Sequence, residues 1–125
     1  VVTPNLMEAA VLSGMSITND RDMAFAAGKI LDMGPSYVLI KGGHCASGAA
    51  EDTLYRGRTV LTFSTSRRKG EFHGTGCALS SAIAVFIARG YAVEKAVEKA
   101  KQVVDSLLKT AKPVGRKRKM LYFQF

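Results

Sequence analysis

An α/β fold is what this sequence predicts, and three observations carry the prediction. Helical and strand-like hydrophobic patterns alternate along the 125 residues. The run Tyr37-Val38-Leu39-Ile40 shows no polar alternation, as in a strand covered on both faces. The glycines of Gly74-Thr75-Gly76 stand directly before Cys77 and a small, apolar run to Phe86, the pattern of a tight loop feeding a buried helix. With 47% hydrophobic residues the chain can build a core, and its length suits one domain.

The elements follow in order. Val1-Val2-Thr3 reads as the end of a strand, and Pro4, which cannot donate to a ladder, suits the strand-to-helix turn. Leu6 to Leu12 then forms a short helix stopped by Gly14. Thr18 or Asn19 caps a second helix from Asp20 to about Asp32, with Met23, Ala26, Ala27, Ile30 and Leu31 at helical spacing. Gly34-Pro35 ends it, and the buried strand runs into Gly42-Gly43. Two strand-like runs, Asp52–Tyr55 and Thr59–Phe63, flank Gly57 as a hairpin. The glycine loop opens a helix to about Ala88, with Gly90 at its C-terminal cap. A last amphipathic helix spans about Val93 to Lys109, with Ala96, Val97, Ala100, Val103, Val104, Leu107 and Leu108 on its inner face.

Charge and cysteine usage narrow the classes. The net charge is +8, yet seven of the 18 basic residues sit in two clusters, Arg67-Arg68-Lys69 and Arg116-Lys117-Arg118-Lys119. No aromatic platform is interleaved with either, so no nucleic-acid partner is expected. No apolar run is long enough to cross a bilayer, so no membrane partner is expected. Cys45 and Cys77 are too few for a disulfide framework, and a reducing, cytoplasmic setting is the expectation. The chain does not open on Met, and "LYFQF" at 121–125 reads either as part of a protease-recognition tag or as an apolar tail. The expectation is a segment or processed chain: a main body over 1–112 and a basic tail over 113–125.

Three clusters could carry chemistry. In "TPNLMEA", Asn5 and Glu8 share one face of a helix start. That spacing serves a cap and its first-turn carboxylate, or a phosphate contact and a metal held through water. In "VLIKGGH", Lys41 ends a strand where open α/β sheets bind ligands, or it simply reaches into water. In "HGTGC", N–H groups at a helix start can cradle a phosphate, and Cys77 falls in the first turn, where the dipole favours thiolate. The same glycines could instead serve close packing around an inert cysteine. No G-x-x-x-x-G-K-[ST] string occurs, so the loop is not a P-loop.

In order and spacing, "TPNLMEA", "VLIKGGH", "DTLY" and "HGTGCALSSAIA" resemble the C-terminal half of the hydroxymethylpyrimidine and phosphomethylpyrimidine kinases of thiamine synthesis. The resemblance covers about residues 2–110. It implies the C-terminal part of a ribokinase-like three-layer α/β/α fold and ATP-dependent phosphorylation of hydroxymethylpyrimidine and its phosphate. Gly74, Thr75 and Gly76 would then form the anion hole, with Cys77 as the base beside the substrate hydroxyl. Asn5 would contact phosphate and Glu8 Mg2+. Lys41, Gly42, Gly43 and His44 would meet ATP, with Asp52 a weaker match near the nucleotide.

The sequence departs from that pattern at Glu71-Phe72-His73, where the family commonly carries Asn-Thr-His. A negative charge thus stands near the expected phosphates. The resemblance leaves two other readings: a pyridoxal kinase of the Cys type, and a non-catalytic ribokinase-like module. Without the substrate-pocket half, the segment is expected to be inactive alone and to self-associate through uncovered strand edge and helix faces. The expected partner is a small pyrimidine alcohol or its phosphate.

Overall fold

The computed structural model describes residues 1–43, 49–66, 72–110, 112–114 and 118–120. It divides into two compact units, Val1–Arg67 and Arg68–Phe125, although no compositional linker marks the boundary. The division falls inside the Arg67-Arg68-Lys69 cluster.

The first unit contains α1 (Leu6–Ser13), α2 (Asp20–Asp32), β1 (Val38–Gly43), β2 (Ala49–Arg56) and β3 (Thr59–Ser66). The sheet runs β1-β2-β3 with antiparallel neighbours. The N-terminal segment adds to it in parallel through bridges Val2↔Val38 and Asn5↔Lys41. The expected sheet of residues 1–3, 37–41 and the hairpin therefore forms, and both hairpin strands run longer than their hydrophobic cores. Val38, Leu39 and Ile40 are fully buried. Since successive strand residues point to opposite faces, this strand is covered on both.

α2 occupies the range its periodicity predicts. Of the two candidate caps, Asn19 takes the role, its side chain accepting the Asp22 N–H at 2.9 Å. Thr18 supports it: its hydroxyl and backbone N–H both donate to Asp22 Oδ2, at 2.6 and 2.9 Å, and hold that carboxyl below its ordinary value. Ala9, Met23, Ala27 and Ile30 pack with Val38, Ile40 and Tyr55 into one core. α1 ends at Gly14, whose φ of 64° lets its N–H reach back to the carbonyls of Ala10 and Val11. The ammonium of Lys29 donates to the Ser13 carbonyl at 3.2 Å, placing a cation at that helix end.

The other side of α1 is left bare. Met7 and Val11 are more than 80% exposed, and Val1, Val2 and Leu12 are also open. With Thr3, Pro4 and Glu8, these α1 residues and Val2 line a depression of about 550 Å³.

The second unit holds β4 (Phe72–His73), α3 (Thr75–Ala88), α4 (Val93–Thr110), β5 (Lys112–Val114) and β6 (Arg118–Met120). α3 and α4 pack on each other; α3 buries Leu79 and Ile83, and α4 buries Ala96, Val97, Ala100 and Lys101. At their connection the Phe86 and Tyr91 rings meet edge to face at 5.7 Å, and Lys99 Nζ lies 5.0 Å from the Tyr91 centroid and 5.8 Å from that of Phe86. The cation and both rings thus tie α4 to the turn after α3.

Three short strands were not expected. β4 pairs in parallel with β6, and β5 pairs antiparallel to β6. β6 and most of β5 lie in the stretch that its basic composition makes look like a tail. Two- and three-residue strands show no periodicity, and Pro113 argues against one.

Candidate functional site

The sequence-predicted residues fall into two groups, one in each unit. In the first unit, Pro4 is buried at the end of the parallel-paired segment, and Asn5 starts α1 as its cap. Asn5 Oδ1 accepts the Glu8 N–H at 2.8 Å, and Glu8 Oε2 accepts the Asn5 N–H at 2.8 Å. This reciprocal pair is a capping box, so the structural reading of "TPNLMEA" is realised. Both side chains are exposed. The box engages one oxygen of each side chain and does not use Glu8 Oε1.

Lys41 lies beside Asn5 in the parallel bridge, its N–H donating to the Pro4 carbonyl at 2.9 Å. Asn5, Glu8 and Lys41 therefore gather at the carboxyl ends of two parallel segments, the edge where open α/β sheets place ligands. Gly42 follows with φ 75°, and its N–H donates to Asp52 Oδ1 at 3.0 Å. Asp52 is thus brought to the same strand end, through the backbone of Gly42. Gly43 closes β1, and His44 lies outside the described residues.

In the second unit, Gly74 caps α3 with φ 88° and has no side chain to cap with. A Cβ built at Gly74 would meet nothing within 4 Å, so its backbone conformation, and not space, calls for glycine. The first bond within the helix is donated by the Ala78 N–H to the Gly74 carbonyl at 2.9 Å. The N–H groups of Thr75, Gly76 and Cys77 therefore precede that ladder and stand at the positive end of the helix dipole. Ser80 donates its hydroxyl to the Gly76 carbonyl at 3.0 Å, bracing the first turn. Cys77 is free and exposed. Glu71 lies outside the described residues, and the His73 side chain is not described.

These donors fit an anion: backbone N–H groups, a helix start and an accessible thiol. At the first unit's strand end Asp52 is engaged by the Gly42 N–H, and the Glu8 carboxylate suits a Mg2+ ion that keeps most of its waters. Among the described residues no group of three metal-ligating side chains occurs. Among them, too, no helix is long and apolar enough to cross a membrane.

A sequence profile described as phosphomethylpyrimidine kinase matches residues 1–121. The chain belongs to that family. Over 116 residues it is 40% identical to a hydroxymethylpyrimidine/phosphomethylpyrimidine kinase of Streptomyces coelicolor, covering 92% of this chain and 43% of that protein. Its fold matches a Staphylococcus aureus pyridoxal kinase solved with AMP-PCP and pyridoxal, with a TM-score of 0.87 and 33% identity, over 96% of this chain and 46% of the other. It also matches a phosphomethylpyrimidine kinase of Clostridium difficile, with a TM-score of 0.70 and 35% identity, over 86% of this chain and 42% of the other. The fold is thus ribokinase-like α/β, and the chain spans less than half the length of these relatives.

Sequence reasoning missed one element of the site, the Asp52–Gly42 contact. The signal was present as an acidic residue in a strand paired with Gly42-Gly43, but the pairing register is needed to bring the two together.

Proposed function

We propose that this chain is the C-terminal segment of an ATP-dependent kinase that phosphorylates hydroxymethylpyrimidine and its phosphate in thiamine biosynthesis. The observation that carries the reading is the start of α3, where Gly74 turns the chain and Thr75, Gly76 and Cys77 present N–H groups ahead of the helix ladder. Such fixed donors stabilise the charge on a transferring phosphoryl group without reorganising. The Cys77 thiolate takes the proton of the substrate hydroxyl as that oxygen attacks the γ-phosphorus. The bond to the β-phosphate oxygen breaks, ADP leaves, and Cys77 is left as the thiol.

Asn5 would contact phosphate, and Glu8 would hold Mg2+ through water with the carboxylate oxygen that the capping box does not use. Mg2+ supplies neutralising charge to the polyphosphate when bound. Lys41 offers a point charge to the phosphates, Gly42 and Gly43 form the strand end beneath the nucleotide, and the family pattern adds His44 as a nucleotide contact.

A second reading, a pyridoxal kinase with cysteine as base, is favoured by the higher TM-score to the pyridoxal-bound relative. Assay of the full chain, with any native residues outside 1–125 included, separates the two. Turnover of hydroxymethylpyrimidine and its phosphate with Mg-ATP, well above that of pyridoxal, is the expected result. A preference for pyridoxal would select the second reading, and no transfer to either would leave a non-catalytic module. Cys77→Ala should lower kcat by at least about a hundredfold while changing the KM for ATP far less, as for a group acting in the transition state. Residues 1–125 alone should show negligible turnover.

A further inference from the structure

β1 and β2 fall out of step by one residue at the strand end. Ile40 pairs with Thr53 and Gly43 with Glu51, so two residues of β1, Lys41 and Gly42, face the single residue Asp52. A bulge of this kind withdraws one amide from the ladder and re-aims the residues around it. Here the Gly42 N–H goes to the carboxylate of Asp52, the residue directly across the bulge. Gly42 has φ 75°, which other residues adopt only with strain. On its other edge β1 is held by the Lys41 N–H on the Pro4 carbonyl. The Lys41–Gly42 pair is therefore held on one side through Lys41 by the N-terminal segment and on the other through Gly42 by Asp52.

We infer that Asp52 is a positioning residue: its carboxylate fixes the Lys41–Gly42 bulge and so aims the strand end at the nucleotide. The inference rests on the kinase reading above, and it changes what Asp52 does within it. Asp52 acts on the nucleotide through Gly42, and the Gly42 N–H is occupied by the carboxylate and is not a phosphate donor. An acceptor is required at position 52, whereas a negative charge pressed against the ligand is not.

Asp52→Ala and Asp52→Asn in the full chain, with any native residues outside 1–125 included, test this. Asparagine keeps an oxygen acceptor for the Gly42 N–H, and alanine removes it. Asp52→Ala should raise the Kd for Mg-ADP and the KM for Mg-ATP by roughly tenfold, the scale of one hydrogen bond to a charged group. Its kcat should stay within about threefold of wild type, and its Gly42 amide proton resonance should move upfield. Asp52→Asn should restore nucleotide affinity to within about threefold and shift the Gly42 amide upfield by less than Asp52→Ala does, since a neutral oxygen still accepts it but more weakly.

Wild-type affinity in Asp52→Ala would overturn the inference. So would equal losses in both variants with an unmoved Gly42 resonance, which would mean that the charge meets the ligand directly. Should Asp52→Ala fail to fold, Asp52→Asn still decides, since only the direct-contact alternative has it lose affinity while the Gly42 amide stays put. A wild-type chain that binds no Mg-ADP would defeat the kinase reading instead. The Gly42 resonance of the ligand-free variants would then judge the clamp by itself.

Discussion

The strand end of the first unit and the helix start of the second share one device, a glycine at positive φ where a strand ends. Gly42 sits at 75° and Gly74 at 88°. They differ in what becomes of the polar groups around them. At the first, side chains are committed to the fold: Asn5 and Glu8 form a capping box at the start of α1, and Asp52 holds the Gly42 amide. At the second, among the described residues, no side chain caps the helix start, and the leading amides of α3 precede its hydrogen-bond ladder. One site is thus shaped by side chains that also hold the structure, the other mainly by backbone braced by the Ser80 hydroxyl. Substitutions at the first should register partly as stability, and at the second mostly as activity.

The largest effect is expected at Gly74. A Cβ there meets no neighbour, so Gly74→Ala acts through φ alone. Holding a non-glycine residue in the left-handed region costs about 1–2 kcal/mol. The chain will escape that strain by rotating the loop, which swings the Thr75 and Gly76 amides away from the transferring group. Losing one such donor costs on the order of a hundredfold in kcat. Gly74→Ala in the full chain should therefore lose about that much kcat while unfolding only a few degrees below wild type. A variant with unchanged kcat would break the contrast between the two sites.

The elements with long apolar periods were legible from the sequence. α2 starts and ends where its pattern does, because Met23, Ala26, Ala27 and Ile30 repeat through three turns and Asn19 is a strong cap. β1 was legible because three adjacent apolar residues, Val38, Leu39 and Ile40, need cover on both faces. β4, β5 and β6 were not, since their pairing is non-local and their two or three residues carry no period. The site was legible as an inventory of groups. Motif spacing names Asn5 and Glu8, but whether they hold each other or a ligand depends on distances of 2.8 Å that spacing does not fix. The role of Asp52 depends on a one-residue register shift, invisible until the strands are paired.

Alkaline titration sharpens the comparison from the side of stability. Tyr55 is buried in β2 opposite Val38, and its hydroxyl pKa is pushed up to about 12, first by burial and then by the charge of Asp20. In the unfolded chain the same group ionises near pH 10. Between those values the unfolded chain has released a proton that the folded chain retains, so raising the pH favours unfolding. The stabilisation is complete below about pH 10 and is lost as the pH rises toward about 12. Amide exchange at Val38–Ile40 should accelerate through that window, more than exchange at Leu79 and Ile83 of α3. Tyr55→Phe should remove the difference, and acceleration that persists in Tyr55→Phe would assign it to another group.

The smallest effect asks whether the first site can be stripped of function without stripping its fold. Asn5→Ala removes the acceptor for the Glu8 N–H and should cost about 1 kcal/mol, as for other caps. Glu8→Gln is more discriminating. Its amide oxygen can still accept the Asn5 N–H, so the capping box survives, and only the charge that favours the helix N-terminus is lost. Chemical denaturation should therefore place Glu8→Gln within about 0.5 kcal/mol of wild type. In the full chain, with any native residues outside 1–125 included, Glu8→Gln should on the kinase reading demand more Mg2+ for activity, because a neutral amide is a poor partner for that ion. If Glu8→Gln matches wild type in both stability and Mg2+ dependence, Glu8 is only the reciprocal half of a cap. The metal must then be held elsewhere, and the chemistry of the first site reduces to Lys41 and the strand end that Asp52 aims.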